Sequence, residues 1–227
     1  MIAVIGAMSI ETDGLIKKLD DTKEYDVVGY RFTEGKLYGK SVVVCCCGIG
    51  KVASSSATSV MIARFNPEIV INLGVAGGAK PLNQGDIVVS EKVVQHDYNA
   101  VADGLEIGQV HGFDSPYIAC DEGLADSLFA IAKSLDITVV KGTVASGDEF
   151  VNSNQKSSWL ASHFGANAFD MESGAIAQVC HITGKRFCSL RAISDNGDDV
   201  AIKSFYDFVT EASERSIKIV ENFVKNY

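Results

Sequence analysis

Apolar and polar positions alternate along this chain in a way that divides it into short strands and helices. Ile2 to Ala7, Glu68 to Leu73 and Phe187 to Ser194 are nearly continuous apolar runs, as strands covered on both faces are. Tyr30 to Leu37 and Ser41 to Cys47, joined at Tyr38-Gly39-Lys40, predict a hairpin. A first helix is expected after Gly6-Ala7-Met8, capped by Ser9, with Glu11 in its first turn. Gly48-Ile49-Gly50 leads into a second, which ends before Asn66-Pro67. Gln84-Gly85-Asp86 turns the chain into a strand from Ile87 to Gln95, in antiparallel or mixed pairing.

The segment from His96 to Tyr117 is polar, glycine-rich and without period, which predicts a long loop and a contact surface. Asp121 caps a helix to about Ser134, with Leu124, Leu128, Ile131 and Leu135 on its apolar face. Ile137 to Ala145 reads as a strand ending in Ser146-Gly147-Asp148-Glu149-Phe150, and a short helix then carries Trp159 and Leu160. A final helix is expected from Ser204, with Asp207 completing a capping-box-like pair. Phe205, Phe208, Val209, Ala212, Val220 and Phe223 line its inner face.

The stretch Asn167 to Asp195 organises the rest. A strand over about Ala168 to Met171 precedes a helix whose Ala175, Ile176, Val179 and Cys180 share one face. Gly184 closes that helix, and Phe187 to Ser194 follows. A strand–helix–strand unit of this kind predicts a parallel pair whose carboxyl ends face a binding crevice. Glu172 and Asp195 stand at those two ends, and Glu11 stands just past the end of the first strand. Each carboxylate alone has an ordinary structural explanation; together at strand ends of one sheet they point to a site. Arg191 shares the face of Asp195 by period two and is expected to pair with it.

Composition narrows the class. At 227 residues with 47% hydrophobic content and 3 prolines, the chain can build one sizeable α/β domain, expected over residues 1–227. A net charge of -9 disfavours nucleic acid and anionic membranes as partners. The apolar runs are too short to span a bilayer, and with no charged leader before Ile2 the expected location is cytoplasmic. Neither the 6 cysteines nor the 4 histidines show metal-ligand spacing. Alternate strand residues point to opposite faces, so Cys45-Cys46-Cys47 cannot aim three thiolates at one metal. Buried reduced thiols acting as small hydrophobes are expected.

Two glycine motifs follow strands, where a ligand could bind. Gly48-Ile49-Gly50-Lys51-Val52-Ala53 has the outline of a dinucleotide fingerprint. It lacks the ribose carboxylate about 20 residues on, and Val52 stands where a phosphate loop needs Ser or Thr. A tight turn that lets a helix pack closely is the better reading. Gly74-Val75-Ala76-Gly77-Gly78 is either a flexible turn or a backbone surface for a flat ligand.

The ordered set of motifs resembles a known family. It comprises Ile5-Gly6-Ala7-Met8 with Glu11, Cys47 to Lys51, Asn72 to Gly78, and Gly85-Asp86-Ile87-Val88-Val89-Ser90. Ser146-Gly147-Asp148, Asp170-Met171-Glu172 and Arg191-Ala192-Ile193-Ser194-Asp195 complete it. The chain is similar from Ile2 to its last helix to the 5′-methylthioadenosine/S-adenosylhomocysteine nucleosidases of the purine nucleoside phosphorylase-like superfamily.

The resemblance implies a single-domain three-layer α/β/α protein with a central mixed, largely parallel sheet. It implies a homodimer that hydrolyses a purine nucleoside with no cofactor and no metal. It assigns Asp195 as the acid that protonates adenine, Glu11 as the base for the attacking water, and Glu172 with Met171 to the ribose. Phe150 and Val151 fall against the adenine, Met8 and Phe205 against the thio substituent, and Val75, Gly77 and Arg191 elsewhere among the substrate-binding positions. The chain departs from the family pattern at Val75, where serine is usual, and at Asp103 and His111 in the loop that meets the partner subunit.

Two other readings stay open: a phosphate-dependent nucleoside phosphorylase and a non-catalytic nucleoside-binding protein. The strand Ile69 to Leu73 lacks the arginine that related phosphorylases carry. The joint presence of Glu11, Glu172 and Asp195 speaks for catalysis.

Overall fold

A computed structural model describes residues 1–227. In chain order the elements are β1 (Ile2–Gly6), α1 (Ser9–Ile16), β2 (Asp20–Val27), β3 (Tyr30–Leu37), β4 (Lys40–Cys46), α2 (Lys51–Phe65), β5 (Ile69–Gly78) and β6 (Ile87–Gln95). Then come β7 (Tyr117–Ala119), α3 (Glu122–Ser134), β8 (Val139–Ser146), α4 (Asn154–Phe164), β9 (Ala166–Asp170), α5 (Ser173–Thr183), β10 (Arg186–Asp195) and α6 (Ala201–Asn226). The strands form one mixed sheet in the order β10-β6-β8-β9-β5-β1-β4-β3-β2, with β7 on β6.

Period-two alternation along the central strands builds two cores. Ile2 and Val4 of β1 face one side, with α1, α3 and α6. Ala3 and Ile5 face the other, with α2 and α5. This is the expected three-layer arrangement, and the strands at its centre are apolar on both faces for that reason. A smaller third cluster holds α4 through Leu160 and Phe164.

The sheet also closes on itself. β10 pairs with β5 in parallel as well as with β6 in antiparallel, so β5, β10, β6, β8 and β9 form a ring. The strands of the Asn167–Asp195 unit do not pair with each other, contrary to the expected parallel pair. β9 runs antiparallel to β5 at Gly77 and Gly78, while β10 runs parallel to it. The strand ends nevertheless meet, because both lie against the last residues of β5. β5 itself runs straight through Gly74 to Gly78, so these residues form strand and not a flexible turn.

Three further differences have local causes. β2 went unread because its residues are mostly charged and exposed; it is an edge strand held by β3. α6 begins at Ala201, not Ser204, with Val200 as its N-cap; the turn before it is closed by Asp198, whose Oδ1 accepts the Val200 N–H at 3.0 Å. α1 has Met8, not Ser9, as its N-cap, and the Glu11 carboxylate accepts the Met8 N–H at 2.9 Å. All six cysteines are free; Cys45, Cys47, Cys180 and Cys188 are buried, whereas Cys46 points outward to solvent. No helix is long and apolar enough to cross a membrane.

Ile71, fully buried at the centre of β5, tests the core. Ile71→Ala should destabilise the fold by about 2–5 kcal/mol, measured by chemical denaturation.

Candidate active site

A pocket opens where the carboxyl ends of β1, β5, β8, β9 and β10 come together. Glu11, Glu172 and Asp195 all line it, as do Met8, Val75, Gly77, Phe150, Val151, Met171 and Phe205. Ring closure of the sheet is what gathers these side chains. Phe150 and Phe205 form part of its wall, edge to face at 5.9 Å between ring centres.

Each carboxylate is held differently. Glu11 is buried, and its Oε2 accepts the N–H groups of Ala7 and Met8 at 2.7 and 2.9 Å. Its Oε1 accepts the Val75 N–H at 3.0 Å, which leaves one lone pair of that oxygen free. Burial raises its pKa; the Arg191 charge and the backbone N–H donors oppose that rise. Glu172 receives one hydrogen bond, from the Gly50 N–H to Oε1 at 2.9 Å. Burial, and then the nearby Asp170 charge, push its pKa to about 7. Asp195 accepts the Ser194 hydroxyl at Oδ2 and the Gly197 N–H at Oδ1, both at 2.9 Å. Burial raises its pKa as well, so each of these groups binds a proton more readily than in water.

Beneath the pocket lies Arg191, fully buried. It pairs with Asp170 through Nη2 at 2.6 Å, not with Asp195 as expected. The reason is a bulge in β10. Arg191 pairs with Gly74 and Asp195 with Gly77, but the register slips between Ile193 and Asp195. One extra residue in the strand reverses the facing of everything after it. Arg191 also bonds Asn72 and Ser173 and does not line the pocket. It approaches Glu11 across Gly74, where a Cβ would lie 2.6 Å from Glu11 Oε1 and collide with the guanidinium. Only glycine fits there.

Residues 1–225 match the phosphorylase superfamily model. A 5′-methylthioadenosine/S-adenosylhomocysteine nucleosidase of Anoxybacillus flavithermus is 38% identical, over 98% of this chain and 97% of its own length. The chain belongs to this nucleosidase family, within the phosphorylase superfamily. The nucleosidase of Neisseria meningitidis, solved with methylthio-immucillin-A, superposes with a TM-score of 0.96 at 36% identity, covering 100% of this chain and 99% of that one. Futalosine hydrolase of Helicobacter pylori superposes with a TM-score of 0.95 at 33% identity, covering 100% and 97%.

Within this nucleosidase site, the serine-to-valine departure leaves the backbone donor in place. Val75 still gives its N–H to Glu11, and its side chain joins the apolar wall. The loop departures pair with each other: His111 Nε2 lies 3.3 Å from Asp103 Oδ2 on the surface. Sequence reasoning missed Asp170, Ser194, Ile49 and Glu149, which also line the pocket. Asp170 was legible as a strand-end carboxylate beside Glu172, but its partner depended on the bulge.

The network makes two predictions. Asp170→Asn, which leaves the Arg191 charge without its buried counter-charge, should cost about 3–5 kcal/mol of stability in chemical denaturation. For Glu172 the folded pKa of about 7 exceeds the usual carboxylate value, so its stabilising contribution is complete below about pH 4 and is lost as pH rises through 7. Without ligand, Glu172→Gln should therefore match the parent protein at pH 4. At pH 8 it should exceed it, on the order of 3 kcal/mol, as read from unfolding curves at the two pH values.

Proposed function

We propose that the protein hydrolyses the N-ribosidic bond of 5′-methylthioadenosine and S-adenosylhomocysteine, releasing adenine and the thioribose product. The observation that carries this reading is the convergence of Glu11, Glu172 and Asp195 on one pocket walled by Phe150 and Phe205. Purine anions are poor leaving groups, so the base has to be protonated as it departs. Asp195 has the chemistry for that step: burial raises its affinity for a proton, and Ser194 and Gly197 fix its direction.

In the reaction, Asp195 gives its proton to N7 of adenine as the C1′–N9 bond breaks and its electron pair passes to the base. Water adds to the oxocarbenium-like C1′, and its proton goes to the free lone pair of Glu11 Oε1. Three backbone donors hold that carboxylate still. Solvent exchange then returns the proton to Asp195, and the net reaction consumes one water. Glu172 accepts the ribose hydroxyls beside Met171, and two charge-assisted bonds favour its ionised form. Phe150 stacks on the adenine, the Val151 backbone reads the adenine edge, and Met8 with Phe205 covers the thio substituent. Carboxylates on opposite sides of a scissile glycosidic bond follow the general logic of glycoside hydrolysis. Neither a metal nor an organic cofactor enters any step.

The proposal extends to residues 1–227 acting as one nucleosidase domain, in a cytoplasmic homodimer.

Purified protein should release adenine from 5′-methylthioadenosine equally well with and without phosphate. Asp195→Asn and Glu11→Gln should each lower kcat by about 10²–10⁴-fold. Strict dependence on phosphate would overturn the hydrolase reading.

A further inference from the structure

Of Glu11, Glu172 and Asp195, Glu172 is the least supported: its carboxylate accepts one hydrogen bond from the protein, the Gly50 N–H at 2.9 Å. Its direction therefore depends on where Gly50 is held. Gly50 is the N-cap of α2, has no side chain with which to cap it, and stands at φ 94, where side chains are rarely tolerated. A Cβ there would also meet Asp148 Oδ1 at 2.9 Å.

The missing cap comes from another element. Asp148, past the end of β8, accepts the Lys51 N–H at Oδ1 at 2.7 Å, satisfying a free donor of the first turn. Asp97, past the end of β6, accepts the Asp148 N–H at Oδ2 at 2.9 Å and the Lys51 ammonium at Oδ1 at 2.7 Å. Lys51, Asp148 and Asp97 thus close a ring of hydrogen bonds joining α2, β8 and β6. None of the three lines the pocket.

We infer that Asp97 is a positioning residue for Glu172, acting through Lys51, Asp148 and the Gly50 N–H. The inference rests on the nucleosidase reading, in which Glu172 holds the ribose hydroxyls. As a surface ion pair alone, Lys51–Asp97 would contribute little. As a clamp on the α2 N-terminus it aims the one donor that orients the ribose-binding carboxylate, so its loss is felt in substrate binding.

The test compares kcat and KM for 5′-methylthioadenosine and its 3′-deoxy analogue in the parent protein, D97N and K51M. On 5′-methylthioadenosine, both variants should raise KM about tenfold, as when a hydrogen bond to a charged group is loosened. Their kcat should stay within about twofold of the parent value. On the 3′-deoxy analogue, which lacks a hydroxyl that Glu172 holds, the rise in KM should shrink to about twofold or less. Should D97N fail to fold, K51M opens the same ring and decides alone. Equal losses on both substrates, or none in an active protein, overturn the positioning role. If the parent protein releases no adenine, the nucleosidase reading itself falls and this role falls with it.

Discussion

Arg191 lies fully buried beneath the pocket, ion-paired to Asp170 and close enough to Glu11 and Glu172 to influence the proton affinity of both. Removing carboxylates from water is costly, and a buried counter-charge with its own hydrogen bonds is the usual compensation. Here one guanidinium faces three carboxylates, so the balance is incomplete. The deficit appears in Glu172, whose pKa stands at about 7. Burial, together with this shortage of positive charge, raises the proton affinity of Glu11 and Glu172.

That arrangement requires particular backbone. Asn72 and Gly74 of β5, Ser173 of α5 and Arg191 of β10 form a fully packed layer. The strand pairings that place them are the same ones that close the sheet into a ring. Because β9 and β10 both end against Gly77, Glu172 and Asp195 arrive at one cavity from strands of opposite direction. An open parallel sheet would have brought them together by a different route.

The bulge near Ser194 divides labour along β10. Before it, Arg191 points beneath the pocket and supports the network; after it, Asp195 turns into the pocket. The strand therefore supplies both the supporting cation and an acid of the site. The Ser194 hydroxyl bonds both the Ala76 carbonyl and Asp195 Oδ2.

Much of this protein was legible in its residues alone. Apolar periodicity located nearly every helix and strand, since burial on one or both faces leaves a period in the chain. Glu11, Glu172 and Asp195 were identifiable as carboxylates at strand ends, whereas Gly74 to Gly78, legible as a turn, are part of β5. Three-dimensional packing decided the rest. The ring closure, the antiparallel course of β9 and the partner of Arg191 all follow from pairings between residues far apart in the chain. A single-residue slip in register at Ile193 to Asp195 reverses which way side chains face, and no local propensity encodes it. β2 escaped notice for the opposite reason: an exposed, charged edge strand has no buried face to leave a pattern.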